Sequence, residues 1–307
     1  MPVSTEPSTT TSPAISIVTP CLNRKRFVRA AIESVLDQDG IEAEHIVVDG
    51  GSDDGTLDIL AEYPHLRVTS EPDRGLYDAI NKGIKRATGD IVGLLNTDDI
   101  LMPGALRAVQ HAARDHPEAD AICGRMELYD PARSLRRPVG NQHMQALRLE
   151  DLISAQTLTN ARFIARKAFE RTGLFDIRYP ACADRLFLAK FHFAGQRTVT
   201  IPQIIYRYTM HADSMTFVPN EVNPLLFEEM LRICDDALGS ELGTEERRFF
   251  LRWAGWISGY LALNSVRSGT YSAAKDCIQR ASAQDRIWLL RFFRHSLWHL
   301  SHRHEWR

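Results

Sequence analysis

The stretch DIVGLLNTDDI, residues 90–100, sets a short apolar run directly before two adjacent acids. Residues 90–96 are apolar almost throughout, as in a strand that is buried on both faces of a sheet. Asp98 and Asp99 follow this run, and Asn96 lies two positions before Asp98. The stretch therefore predicts a buried strand whose carboxyl end carries a polar, charged turn.

Outward from this stretch, buried strand patterns alternate with helical patterns. The alternation predicts right-handed βαβ units and an α/β fold, with a mostly parallel sheet flanked by helices. Residues 197–211 alternate in polarity, which predicts an antiparallel strand pair, whereas residues 131–180 show few clear periods. The predicted strands are 14–20, 44–50, 66–75, 90–96 and 121–130, and the predicted helices are 27–38, 55–63, 76–89, 103–117 and 183–195.

Acidic residues follow several of the predicted strands. Asp49, Asp73 and the pair Asp98 and Asp99 each come just after an apolar run. In open α/β sheets, ligands bind beyond the carboxyl ends of the strands. We therefore expect these four acids to lie along one edge of the sheet, where they would face a ligand.

The composition excludes several classes of protein. The chain has 307 residues, of which 44% are hydrophobic and 25% charged, as in an ordinary globular protein. Its net charge of −2 does not favour a nucleic-acid partner. The five cysteines are scattered and lack CxxC spacing, which argues against a zinc site or a disulfide framework and fits a reducing cytosol.

The chain divides into three parts by composition. Residues 1–13 are rich in Ser, Thr and Pro and predict a disordered leader, residues 14–220 hold the α/β pattern, and residues 221–307 read as a helical extension. No apolar run has the roughly 18–20 residues that cross a bilayer, so we expect a cytoplasmic protein. The end of the extension, 285–307, combines arginines with Trp and Phe, which fits either peripheral membrane contact or docking on protein.

Four motifs, taken in order, resemble the GT-A glycosyltransferases of family 2. They are TPCLNR (19–24), VVDGGSDDGT (47–56), SEPDRGLYDAINKGIKRATGD (70–90) and LLNTDD (94–99). The resemblance covers about residues 14–215 and is closest to enzymes that build bacterial surface polysaccharides and glycolipids. It implies inverting transfer of a sugar from a nucleotide-diphospho-sugar donor to a hydroxyl of a glycan or lipid-linked acceptor, with Mg²⁺ or Mn²⁺.

The resemblance assigns the acidic pair to the metal. Asp98 is the leading ligand, Asp99 supports it, and His211 lies near the metal or the diphosphate, with Ser214 in a loop that often contacts phosphate. Hard divalent cations prefer such carboxylate and phosphate oxygens. The alternative for the acidic pair is a turn or a helix N-cap, and for His211 an ordinary surface or core histidine.

The resemblance also assigns the donor-binding residues. Asp49 corresponds to the family acid that contacts the base or ribose, followed here by Gly50 where relatives often have a second acid. Asn96 replaces the first acid of the family's Asp-x-Asp, and its amide can still donate and accept hydrogen bonds. The remaining donor-binding candidates are Thr19, Pro20, Asn23, Asp73, Arg74, Asp78, Asn81, Thr97 and Asp98.

A general base must take the proton of the acceptor hydroxyl. In the family this base is an acid that opens a helix after an irregular acceptor loop, and CADRLFLAKF (182–191) has that pattern, so Asp184 is the candidate. Ala183 stands where relatives more often have Glu. The alternative for Asp184 is an acid that only favours the helix N-terminus.

Two other functions compete with this prediction. A sugar nucleotidyltransferase would need a glycine-rich basic loop after the first strand, and TPCLNRKR has no glycine. A catalytically inactive glycosyltransferase-like binding module would not need the acids at positions 98 and 184.

Overall fold

A computed structural model of the protein describes residues 14–38, 40–139, 146–153, 159–211, 217–218, 221–222, 224–290, 292–293 and 296. Nine strands within these residues form one sheet, and two short strands form a separate hairpin. The leader 1–13 lies outside the described residues. The strands are β1 (Ile15–Cys21), β2 (Ala43–Asp49), β3 (Arg67–Ser70), β4 (Ile91–Leu94), β5 (Ile100–Leu101), β6 (Ala121–Asp130), β7 (Leu135–Val139), β8 (Arg162–Ala165), β9 (Thr198–Thr209), β10 (Phe217–Val218) and β11 (Glu221–Val222).

The sheet has a parallel half and a mixed half. Its order is β3–β2–β1–β4–β8–β6–β9–β5, with β7 beside β6. Strands β1 to β4 are parallel, as the strand–helix alternation predicts. Strand β8 runs antiparallel between β4 and β6, and β9 is parallel to β6 but antiparallel to β5. The first half of the sheet is therefore parallel as expected, whereas the second half is mixed, because β8 enters the sheet in the opposite direction.

The prediction of a strand pair over 197–211 is wrong. These residues form one strand of 12 residues, β9. Its register against β6 shifts where Cys123 pairs with Thr200 and Arg125 pairs with Ile204. Pro202 lies in this irregularity, where its missing N–H costs no ladder hydrogen bond. The proline and the bulge interrupt one long strand, so its sequence pattern resembles that of two strands joined by a turn.

Helices cover the sheet, and a mid-helix glycine lets one of them approach closely. A Cβ on Gly83 would overlap the side chain of Val18 in β1, so the glycine lets α3 pack closely on this strand. The helices are α1 (Val28–Leu36), α2 (Thr56–Ala61), α3 (Leu76–Arg86), α4 (Ala105–Asp115), α5 (Leu149–Ile153), α6 (Ala168–Thr172), α7 (Ala183–Phe193), α8 (Pro224–Leu238), α9 (Thr244–Arg267) and α10 (Tyr271–Gln284).

The helical extension shares the core of the α/β part. Buried side chains of α8 and α9, among them Phe227 and Trp253, belong to the same hydrophobic cluster as Phe175, Phe187 and Val18. The helices thus bury apolar surface that the sheet and α7 would otherwise leave in contact with water. Among the described helices, none is both long enough and apolar enough to cross a membrane.

Candidate active site

A cleft of about 380 Å³ opens at the carboxyl ends of β1 and β4. Its walls come from the loops after these strands, from the start of α3 and from the start of α7. It lies where the strand-end rule for α/β sheets predicts a ligand. The predicted site residues that line it are Pro20, Asp73, Asn96, Thr97, Asp98 and Asp184.

Asp98 and His211 meet at this cleft. The Asp98 Oδ2 atom lies 2.8 Å from Nε2 of His211, although the two residues are 113 positions apart. The His211 ring stacks on Phe27 with a centroid distance of 4.9 Å. The end of β9 therefore brings the histidine to the acidic turn after β4, and the aromatic contact holds its ring.

Asp99 points into the protein instead of the cleft. The residue is 1% exposed, and its carboxylate accepts hydrogen bonds from the Tyr206 hydroxyl (2.6 Å), the Thr209 N–H (2.9 Å) and the Asn96 amide (3.3 Å). Burial, followed by repulsion from Asp98, raises the pKa of Asp99 to about 7, because these effects outweigh the hydrogen bonds. Asp99 thus ties the acidic turn to β9 and orients Asp98. Its supporting role at the metal stays a prediction.

Asp49 organises the loop after β2. Its carboxylate accepts hydrogen bonds from the N–H groups of Gly51 (3.0 Å) and Ser52 (2.9 Å) and from the Ser70 hydroxyl (2.7 Å). Burial alone would raise the pKa of Asp49, but the hydrogen bonds from Ser52, Ser70 and Gly51 outweigh it and lower the pKa. Asp49 is therefore held as an anion next to the cleft, with most of its acceptor capacity used by the protein.

Asn23 joins the first two strand-end loops. It has a positive φ of 53°, its side-chain oxygen accepts the N–H of Asp53 at 3.0 Å, and its own N–H donates to Ser52 at 2.7 Å. Asparagine tolerates this left-handed conformation better than most residues. The predicted donor-binding Asn23 is thus found as a link between the loops.

Gly50 makes room for Asp73. A Cβ built on Gly50 would lie 2.5 Å from Oδ2 of Asp73, which lines the cleft. The other oxygen, Oδ1, accepts the N–H of Gly75 at 2.8 Å and fixes the turn into α3. A side chain at position 50 would require the Asp73 carboxylate to shift, so the glycine leaves this space to Asp73.

Four further donor-binding candidates are engaged by protein partners. Arg74, whose side chain is 72% exposed, pairs with Asp78 at 3.0 Å, and this contact lowers the pKa of Asp78. The Asn81 amide donates to the Phe175 carbonyl at 2.7 Å and accepts the Phe175 N–H at 3.0 Å. The Thr19 hydroxyl lies 2.9 Å from Nε2 of the buried His45. These four residues are not part of the cleft lining, although Asn81 holds Phe175, which does line it.

Asp184 lies in the cleft at the start of α7 and has two supporting partners. The Thr159 hydroxyl donates to its Oδ2 at 3.0 Å. The Tyr77 hydroxyl hydrogen-bonds to both the side chain and the backbone of Asp184. Burial, followed by the charge of Asp184, raises the pKa of Tyr77 well above its usual value, so the hydroxyl keeps its proton and donates to the carboxylate.

Several residues of this site carry no clear functional signal in the sequence. Tyr77 and Phe27 lie in predicted helices, and the only signal for a role in the site is that they are aromatic. Thr159 and Phe175 lie in the region without clear periods. Ser214, the candidate phosphate contact, falls outside the described residues.

The donor atoms of the cleft fit a divalent cation. A carboxylate oxygen of Asp98 and an imidazole nitrogen of His211 lie close enough to share one ion. Carboxylate oxygen suits Mg²⁺ and Mn²⁺, and a neutral imidazole is a common metal ligand. No cluster of three or more His, Cys, Asp or Glu side chains suited to a metal occurs in the part of the chain that the structure describes. Mg²⁺ and Mn²⁺ often bind through one or two protein carboxylates, with phosphate and water oxygens as the other ligands.

Comparison with known proteins identifies the family. The sequence profile of Glycosyl transferase family 2 matches residues 16–173, which is more than half of the chain. A relative, the PGL/p-HBAD biosynthesis glycosyltransferase of Mycobacterium bovis (strain BCG / Pasteur 1173P2), is 29% identical over 207 residues, covering 65% of this chain and 75% of the relative.

Solved structures are similar in fold. TarS 1-349 of S. aureus, in complex with UDP-GlcNAc, has a TM-score of 0.62 and 17% identity, over 86% of this chain and 90% of that one. The mannosyltransferase PcManGT from Pyrobaculum calidifontis, in complex with GDP-Man and Mn²⁺, has a TM-score of 0.57 and 16% identity, over 94% and 85%. The chain belongs to glycosyl transferase family 2 and is a glycosyltransferase with the GT-A fold.

Proposed function

We propose that this chain is an inverting, divalent-cation-dependent glycosyltransferase. It moves one sugar from a nucleotide-diphospho-sugar to a hydroxyl of a glycan or lipid-linked acceptor in the biosynthesis of cell-surface polysaccharide or glycolipid. The observation that carries the proposal is that one cleft is lined by both Asp98, which contacts His211, and the acid Asp184. Asp98 and His211 are suited to bind a cation that faces the diphosphate, and Asp184 is suited to accept a proton.

Asp184 serves as the general base in this proposal. Its carboxylate takes the proton of the acceptor hydroxyl while the acceptor oxygen forms a bond to the anomeric carbon. The bond from that carbon to the diphosphate oxygen breaks, and the nucleoside diphosphate leaves with the electron pair. Attack from the face opposite the leaving group inverts the configuration of the sugar.

Asp98 and His211 hold the cation in this proposal, and Asp99 orients Asp98 from behind. A bound Mg²⁺ or Mn²⁺ supplies positive charge that offsets the charge of the diphosphate. On the donor side, Pro20, Asp73, Asn96 and Thr97 line the space that we assign to the nucleotide and the sugar. The neutral amide at Asn96 can contact the sugar without adding a third negative charge.

The nature of the donor and acceptor is argued from relatives. The two similar solved structures contain UDP-GlcNAc and GDP-Man, so a nucleotide-diphospho-sugar fits the fold. The mycobacterial relative is named for PGL/p-HBAD biosynthesis, which supports a glycolipid or related surface acceptor.

The test is a screen of nucleotide-sugars with and without Mn²⁺. We expect one donor to raise the thermal midpoint and to release nucleoside diphosphate only when the metal is present. Asp98→Ala should remove both effects, whereas Asp53→Ala, which changes an exposed acid in the neighbouring loop, should keep them. If the wild type shows no metal-dependent release with any common donor, the proposal is wrong and an inactive binding module is favoured.

We also propose that the end of the extension contacts the membrane surface. Ile287, Leu289, Leu290 and Phe293 are each about half or more exposed, and residues 285–307 contain five arginines against two acids. Exposed apolar side chains with surrounding arginines are suited to anionic lipid headgroups. A lipid-linked acceptor would then be reached by an enzyme on the same surface.

Vesicle sedimentation tests this contact. We expect binding to phosphatidylglycerol-containing vesicles that weakens with salt, and weaker binding for Leu290→Glu. Leu135→Glu, which changes an exposed leucine of β7, is the control. Equal sedimentation of the wild type with purely zwitterionic vesicles, or no effect of Leu290→Glu, would contradict the proposed contact.

A further inference from the structure

One face of α8 lies against the segment that leads into α7. Leu226, Glu229, Arg232 and Asp236 follow each other at intervals of three or four residues, which places them on a single helix face. Each of them contacts part of residues 178–182. The extension therefore contacts the part of the cleft that holds Asp184, which is the acceptor side in the proposed function, along three turns of a helix.

Glu229 makes the central contact of this face. Its Oε2 atom accepts the backbone N–H of Ala181 at 2.7 Å and that of Cys182 at 2.6 Å. The residue is 9% exposed, so both hydrogen bonds are shielded from water. Hydrogen bonds from N–H groups to a carboxylate are stronger than those between neutral partners.

These two N–H groups lie at the N-terminus of α7. Cys182 is the N-cap of this helix and makes no side-chain capping hydrogen bond. The Glu229 carboxylate thus acts at the place where a negative charge favours a helix start, although it comes from another helix, 47 positions along the chain. Helix α7 is therefore capped from the extension.

The neighbouring Tyr179 forms a second anchor on the same face. Its hydroxyl donates to Oδ2 of Asp236 at 2.5 Å, and the guanidinium groups of Arg178 and Arg232 each lie 5.3 Å from its ring centroid. Arg232 also donates to the Arg178 carbonyl at 2.7 Å. The segment is thus attached at both of its ends, with Glu229 at the end nearer the cleft.

We propose that Glu229 is a positioning residue for Asp184, a role that rests on the proposed function of Asp184 as the base. Ala181, whose N–H binds Glu229, lines the cleft, and Asp184 lies two positions after Cys182. The carboxylate of Glu229 sets where α7 begins and hence where the base meets the acceptor. The helical extension is in this way a part of the catalytic unit.

Removal of the carboxylate should affect turnover more than donor binding. Glu229→Ala leaves two N–H groups without their acceptor, so the start of α7 relaxes. A displacement of about 1 Å in a reacting group can cost on the order of 100-fold in rate. The donor side, built from the ends of β1 and β4, receives no contact from Glu229 among the described residues.

The experiment compares three variants by metal-dependent release of nucleoside diphosphate, with water as the acceptor. We expect Glu229→Ala to lower kcat by about 100-fold with an unchanged KM and thermal shift for the donor. Glu229→Gln keeps an oxygen acceptor and should restore kcat to within about threefold of the wild type. Glu245→Ala, which changes an exposed acid of α9, should behave as the wild type.

A second measurement does not depend on turnover. Hydrogen exchange of the amides at 181 and 182 should become faster in Glu229→Ala and should stay slow in Glu229→Gln. If Glu229→Ala does not fold, Glu229→Asp, which withdraws the carboxylate by one methylene, takes its place with the same expected split between kcat and KM.

Three results would overturn the inference. They are an unchanged kcat in Glu229→Ala, an equal loss of donor binding and kcat, and a failure of Glu229→Gln to restore the rate. If the wild type releases no nucleoside diphosphate, the proposed function itself is wrong. If the wild type is active and Glu229→Ala is equally active, only the positioning role of Glu229 is wrong.

Discussion

In the proposed function the cleft has a donor side, at the ends of β1, β2 and β4, and an acceptor side, at the starts of α3 and α7, and the two sides are built in different ways. On the donor side, short loops after β1, β2 and β4 carry the polar residues, and Asp49 is bonded mainly within its own loop. On the acceptor side, the contacts join distant parts of the chain, such as Asn81 to Phe175, 94 positions apart, and Glu229 to Cys182. Asp99, Asn96 and His211 bring comparable long-range contacts to the metal end of the donor side.

This difference has a consequence for how the two sides respond to change. Local loops at the ends of a parallel sheet keep their positions as long as the strands pair. A wall assembled from α3, α7 and α8 keeps its position only if each remote contact is made. We therefore expect substitutions on the acceptor side to change turnover while the donor still binds.

The largest effect separates the two sides directly. Asp184→Ala removes the proposed base, which should lower nucleoside diphosphate release by about 100- to 10,000-fold. The donor-induced thermal shift with Mn²⁺ should be unchanged, because Asp184 belongs to the start of α7 and its hydrogen-bond partners are Thr159 and Tyr77 instead of the Asp98–His211 pair. Normal turnover in this variant would refute the base assignment, and loss of the thermal shift would show that the two sides are not independent.

The remote contact at Asn81 should matter for stability. Asn81→Ala leaves the N–H and the carbonyl of Phe175 without partners inside the protein, so the free energy of unfolding should fall by about 2–4 kcal/mol. Urea unfolding measures this change. Lys85→Ala, on the exposed face of the same helix, is the control. A loss similar to that of the control would mean that the acceptor wall does not depend on this contact.

The hydroxyl of Tyr77 should have a smaller effect. Tyr77→Phe keeps the buried ring and removes the hydrogen bond to Asp184, so kcat should fall about tenfold. Tyr63→Phe, which changes a tyrosine remote from the cleft, should leave kcat unchanged. An unchanged kcat in Tyr77→Phe would reduce the role of Tyr77 to packing.

The last effect concerns the buried His45 of β2 and depends on pH. Burial, followed by the charge of His65, lowers the pKa of His45 from 6.5 to about 3. The unfolded chain therefore binds one proton more between these values, and stability is full above pH 6.5 and declines as the pH falls. The slope from this group is at most about 1.4 kcal/mol per pH unit.

Unfolding of His45→Gln at several pH values tests this dependence. The variant should lose that part of the slope between pH 6 and 4, whereas the exposed His111→Gln should keep it. An equal slope in His45→Gln and the wild type would contradict the neutral, buried state of His45.

Most of the parallel half was predictable because its signals are local. Strands β1, β2 and β4, and the helices α3 and α7, lie where the patterns predict them. The prediction failed at β9, because Pro202 and the adjacent bulge interrupt the alternation of a single strand. Strands β7 and β8 went unpredicted because residues 131–180 carry weak periods and the sheet determines their pairing.

The sequence by itself determined the donor side. Apolar runs that end in polar turns place Pro20, Asp73 and Asp98 at one sheet edge, because parallel strands in βαβ units must point the same way. The sequence also indicated Asp184, because an acid at the start of a predicted helix has the pattern of the base.

Only the tertiary structure decided what each polar residue does. It turned Asp99 inward to β9, brought His211 to Asp98, used Asn81 to hold Phe175, and placed Glu229 under the start of α7. Such roles depend on which distant donors and acceptors are buried together. A buried polar group must find a partner, and the chain's three-dimensional path, not the spacing of residues along it, determines which partner is in reach.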